Sequence, residues 1–123
     1  MPICLAAGTA AVTLAVQQFT LAWTHSIEKT RWEEDWRAAG AQLVIDEARI
    51  AGSGAGMEPP PGATLRRGIW HYRPVLPAQE KLQLRHSPHA LPYQLCVAGQ
   101  CSELAGLLPG IGPEAVITLR SCP

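Results

Sequence analysis

Residues 19–36 read FTLAWTHSIEKTRWEEDW and hold three of the four tryptophans in the chain. Phe19, Leu21, Trp23, His25 and Ile27 alternate with Thr20, Ala22, Thr24 and Ser26. A period of two in residues that suit a pleated surface is a strand signal. Beyond Glu28-Lys29-Thr30, Trp32, Glu34 and Trp36 alternate with Glu33, Asp35 and Arg37. The two halves predict a hairpin with Trp32 and Trp36 on one face. A short helix over Arg31–Ala39 competes: Thr30 and Glu33 fit a capping box, the tryptophans are four apart, and Gly40 could end the helix. The strand is preferred because the segments on both sides also read as strands.

Working outward, Ile3–Ala7 and Ala11–Val16 alternate around a break at Gly8-Thr9. Gln42–Ile50 changes parity along its length. Leu43 and Ile45 fall on one face, and Val44, Ala48 and Ile50 on the other, which predicts a strand covered on both faces at one end. Thr64–Arg73 reads as one strand interrupted at Gly68 by a bulge. Leu82–His86, Tyr93–Val97, Cys101–Leu104 and Ala115–Arg120 follow, separated by turn residues. Roughly nine or ten short strands at this spacing predict one all-β domain over 1–123, an antiparallel sandwich or barrel.

The segment AGSGAGMEPPPGA, Ala51–Ala63, cannot lie in a sheet centre, because its prolines donate no ladder hydrogen bond. Composition alone favours a plain surface connection. Its glycines are also a weak match to an anion-cradling nest.

The formal charge is zero, so the basic footprint of a nucleic-acid binder is absent. No run of about twenty apolar residues is present to span a membrane. Arg66, Arg67, His71, Arg73, Arg85, His86 and His89 make the second half mildly basic, with solvated surface the default reading. The four cysteines allow three pairings. A two-residue turn at Ala98-Gly99 would set Cys96 opposite Cys101 at a non-hydrogen-bonded position, within disulfide reach. Cys4 and Cys122 lie near the two ends of the chain, which are often close in domains. Pairing 96–101 with 4–122 is therefore the first choice, and four reduced thiols the alternative. Disulfides would place the chain in an extracytoplasmic, periplasmic compartment. The opening MPICLAAGTAAVTLAVQQ has no positive residue of a signal peptide, which points to the cytoplasm.

His25, Ser26, Glu28, Glu33 and Glu34 form the densest group of functional side chains. A hairpin closed near Glu28–Thr30 would bring His25 and Glu33 together. A histidine beside a carboxylate can be a base, a metal ligand or an oriented structural residue. Ser26 lacks the flanking glycines of a nucleophile elbow. No catalytic motif is present.

Three blocks, FTLAWTHSIEKTRWEEDW, GSGAGMEPPPGA and LCVAGQC, resemble the small bacterial family catalogued as domain of unknown function eighteen-fifty. Its members are typically encoded beside TRAP-type solute transporters of the TAXI class. The resemblance implies His25, Ser26, Glu28, Glu33, Gly54, Gly56 and Met57 as signature positions, and an ordered glycine loop meeting the hairpin. It implies no catalytic role and leaves any cofactor unspecified. Two expectations follow. The first is an accessory module binding a transporter subunit, a solute-binding protein or a solute through the His25/Glu33 hairpin and the Gly52–Met57 loop. The second is a metal site, able to serve hydrolysis, built on His25, Glu28 and Glu33.

Overall fold

The computed structural model describes residues 1–24, 30–51, 60–86 and 92–123. Eleven strands are seen among them: β1 Ile3–Ala7, β2 Ala10–Leu14, β3 Gln18–Thr24, β4 Arg31–Ala39, β5 Gln42–Ala51, β6 Thr64–Arg66, β7 Ile69–Tyr72, β8 Leu82–Arg85, β9 Gln94–Val97, β10 Gln100–Glu103 and β11 Val116–Ser121. One 3-10 turn, Leu104–Leu107, follows β10. The strands form two antiparallel sheets in a sandwich-like arrangement. The smaller has the order β2-β1-β11-β8, the larger β10-β9-β3-β4-β5-β7-β6. Among the described residues no helix is long and apolar enough to cross a membrane.

Arg31–Ala39 is strand, not helix. As a strand it buries Trp36 against the core and pairs on both sides: Trp36 faces Phe19 on β3 and Ile45 on β5. A helix would have forfeited both ladders. The parity change in β5 has a different cause from the one its sequence suggests. Asp35 pairs with Glu47 and Trp36 with Ile45, so a bulge leaves Asp46 as an extra residue. The bulge keeps Leu43, Ile45, Ala48 and Ile50 all buried on one face, while Val44, Glu47 and Arg49 on the other are half-buried. The 64–73 segment likewise is not one bulged strand. Arg67 (φ 53°) and Gly68 (φ 78°) form a tight turn, and β6 folds back on β7 with Thr64 opposite His71. Positive φ at both central residues is the primed turn that matches strand twist.

The core lies between the sheets. Ile3, Leu5, Ile117 and Leu119 from the smaller sheet meet Phe19, Leu21, Trp36, Leu43, Ile45 and Leu95 from the larger, and Leu104 and Leu108 close one side. Each such side chain contributes roughly 1.5–3 kcal/mol by leaving water. Ser121 Oγ donates to the Gly40 carbonyl at 2.6 Å, tying β11 to the β4–β5 turn. Both expected disulfides are present, Cys4–Cys122 and Cys96–Cys101. The Cys96–Cys101 bridge links directly opposed residues of β9 and β10, with Cα atoms 4.0 Å apart.

Candidate functional site

Of the residues the sequence singles out, Glu33 is described; His25, Ser26, Glu28, Gly54, Gly56 and Met57 lie outside the described residues. The residue facing Glu33 on β3 is Ala22, and the one facing it on β5 is Arg49. Glu33 and Glu34, neighbours in sequence, go to opposite faces of the sheet.

Strand alternation puts Arg31, Glu33 and Asp35 of β4 on the outer face, away from the core. The bulge at Asp46 lets Glu47 and Arg49 of β5 join them, and His71 of β7 is paired with Arg49. The side chains form one continuous ladder. Arg31 Nε donates to Glu33 Oε2 at 2.9 Å, and Arg31 Nη1 to Gln94 Oε1 at 2.9 Å. Arg49 Nε donates to Glu33 Oε1 at 2.9 Å. Its Nη1 and Nη2 grip Asp35 Oδ2 and Oδ1, each at 2.7 Å, and Nη1 also reaches Glu47 Oε1 at 3.2 Å. Thr20 Oγ1 donates to Asp35 Oδ1 at 2.7 Å. His71 Nδ1 lies 2.7 Å from Glu47 Oε1.

These contacts hold the carboxylates charged. The Asp35 carboxyl is held below its usual value, first by its bonds to Arg49, which outweigh burial, and then by Thr20. Glu47 is lowered first by His71, again against burial, with help from Arg49. Burial alone would push Glu33 up, but Arg49 and Arg31 together bring it below the usual value. The same acids raise the Arg49 guanidinium, with Asp35 the largest contributor. On the inner face the balance is reversed. Glu34 sits in a row with Leu21 and Ala48. Burial pushes its pKa up, although Trp36 Nε1 donates to its Oε1 at 3.1 Å. Burial, and then the Glu34 charge, raise Tyr72.

Two recesses open on the outer face. One, of about 330 Å³, is lined by Gln18, Thr20, Asp35, Asp46, Arg49 and Cys96 among others. The second, of about 350 Å³, lies at the β6–β7 end and is lined by Asp46, Glu47, Thr64, Arg66, His71 and Arg73 among others. Its acids are already matched: Glu47 by His71 and Arg49, Asp46 by Arg37 at 2.9 Å. Its two arginines are not. Arg66 and Arg73 make no ion pair among the described residues. The recess therefore holds two guanidinium groups that have no carboxylate partner among the described residues, beside a histidine and a threonine.

Among the described residues no three His, Cys, Asp or Glu side chains stand together in a way that could hold a metal ion. Both oxygens of Glu33 already accept from arginine. The alternation in RWEEDWR and IDEARI hinted at a charged face, but choosing Arg49 as partner of Glu33 requires a register that neither strand specifies alone. His71, Arg66 and Arg73 carried no motif.

A family model described as domain of unknown function (DUF1850) matches residues 19–104. No curated protein and no solved structure matches the chain.

Proposed function

Because the chain belongs to the DUF1850 family, we propose that it is a non-catalytic binding module that takes an anionic group on its outer sheet face. The observation that carries this is the contrast between its arginines. Arg31, Arg37 and Arg49 are committed to carboxylates within the fold. Arg66 and Arg73 share a recess with His71 and Thr64, and among the described residues neither meets a carboxylate. A guanidinium offers a planar fork that fits a carboxylate or phosphate with two parallel bonds. The ladder behind it fixes His71 through Glu47, so the recess has one rigid wall.

The accessory role beside a TAXI-class TRAP transporter, implied by the family resemblance, belongs to this proposal. The bound group is then an acidic surface of a transporter subunit or solute-binding protein, or an anionic solute. The hairpin and glycine loop remain candidate contacts through His25, Ser26, Glu28, Gly54, Gly56 and Met57. Glu33 supports the ladder, since two arginines already occupy it.

The test uses the purified chain and purified transporter components at low and high salt. Binding should weaken at least tenfold in Arg66→Gln/Arg73→Gln and fall as salt rises, since exposed charges are screened. Failure to bind any component at high concentration would overturn the transporter role.

A further inference from the structure

We infer that Cys96–Cys101 is a thiol–disulfide exchange site for a dithiol-class partner, whereas Cys4–Cys122 is the structural bridge. The two bridges have different tasks in the fold. Cys4–Cys122 spans a sequence separation of 118 and fastens the two ends of the chain, where Cys122 N also donates to the Pro2 carbonyl at 3.0 Å. Cys96–Cys101 spans only 5. Its hairpin is already closed by the turn at Ala98 (φ 52°) and Gly99 (φ 80°). Beyond β10, fully buried Leu104 anchors the chain to the core. Opening this bridge therefore leaves β10 held at both ends.

Access to the two sulfurs is unequal. Cys101 is exposed on the outermost strand of the larger sheet, while Cys96 is 7 % exposed. Arg31 Nη2 lies 3.9 Å from Cys101 Sγ and 4.0 Å from Cys96 Sγ. A neighbouring cation stabilises a thiolate, and a better-stabilised thiolate leaves faster. Cys4 Sγ meets Thr13 and Cys122 Sγ the Pro2 carbonyl; Arg120 stands opposite Cys4 on β11, but among the described residues no arginine nitrogen lies within hydrogen-bond reach of either sulfur.

A thiolate of the dithiol bonds to Cys101 Sγ, the Cys96–Cys101 bond breaks, and its electron pair leaves on Cys96 Sγ beside Arg31. The dithiol's second thiolate then attacks its partner sulfur in the mixed disulfide, and the electron pair leaves on Cys101 Sγ. The dithiol is oxidised to a disulfide by two electrons and the bridge is reduced to two thiols, which take up the protons the dithiol gave.

The wild-type chain, native and without denaturant, is exposed to graded dithiothreitol, quenched with a thiol-alkylating reagent and mapped by mass spectrometry. The 96–101 bridge should open at least tenfold faster than 4–122, with the far-ultraviolet spectrum unchanged. A monothiol probe should form its first adduct on Cys101. Arg31→Gln should slow opening several-fold, and Arg31→Lys, which keeps a cation, should restore most of the rate. Equal rates for the two bridges, opening only in denaturant, a first adduct on Cys96, or an unchanged rate in folded Arg31→Gln would each overturn the inference. The wild-type comparison decides the matter alone if Arg31→Gln fails to fold.

Discussion

Arg49 grips Asp35 with both terminal nitrogens, each at 2.7 Å, while its Nε holds Glu33. With Nη1 also reaching Glu47 of β5 at 3.2 Å, one cation holds together carboxylates from two strands. Replacing it with methionine keeps the apolar stem but strands three acids on one face. Exposed pairs contribute under about 1 kcal/mol each and breaking a buried pair costs roughly 3–5. The Arg49 side chain is 19 % exposed and its partners 28–37 %, so Arg49→Met should cost about 1.5–3 kcal/mol. Urea midpoints at constant slope would measure it. A double-mutant cycle with Asp35→Asn should show clear coupling, and strict additivity would contradict the ladder.

Acid should dissolve the same ladder. Asp35, Glu47 and Glu33 all have carboxyls lowered in the folded state. Their contribution is complete above the usual carboxylate range and is lost as pH falls through the folded values. Stability should therefore drop steeply below about pH 4. The drop should be shallower in Asp35→Asn, as read by unfolding at stepped pH.

Glu34 predicts the opposite sign. Burial raises its pKa in spite of the Trp36 hydrogen bond. Any stability it brings is present at low pH and lost as pH rises through the folded value. Glu34→Gln keeps an oxygen for Trp36 Nε1 and removes the charge. It should stabilise the chain at pH 7 by on the order of 1 kcal/mol, seen as a higher melting temperature, and change little at pH 3. A loss at both pH values would show that the charge is not the cost.

The β9–β10 turn carries a strained residue. Ala98 has φ 52°, a conformation that asparagine tolerates better than alanine. Ala98→Asn should stabilise the chain by roughly 0.5–1 kcal/mol, measured by thermal unfolding of the oxidised protein.

The fold was largely readable because most strands alternate plainly and their turns carry glycine. Both cysteine pairs were readable too: a two-residue turn sets Cys96 opposite Cys101, and Cys4 and Cys122 lie near chain ends that often meet. Reading failed where one residue changed the register. Gly68 signalled an interruption, but only the positive φ it shares with Arg67 turns a bulge into a hairpin. The bulge at Asp46 hid in a parity change with two explanations. The site was harder still. Glu33 stood out beside His25 in sequence, yet its partners Arg49 and Arg31 were set by cross-strand register and by burial that pairs charges. Arg66 and Arg73 gained meaning only when every other arginine of that face was seen to be occupied.

The most direct test of the binding face is amide chemical-shift mapping on the isotopically labelled chain, titrated with succinate and with a short polyglutamate peptide. Saturable shifts should centre on Thr64–Arg66 and His71–Arg73, be suppressed by added salt and vanish in Arg66→Gln/Arg73→Gln. Shifts that centre elsewhere, or that persist in the folded double variant, would contradict that binding face.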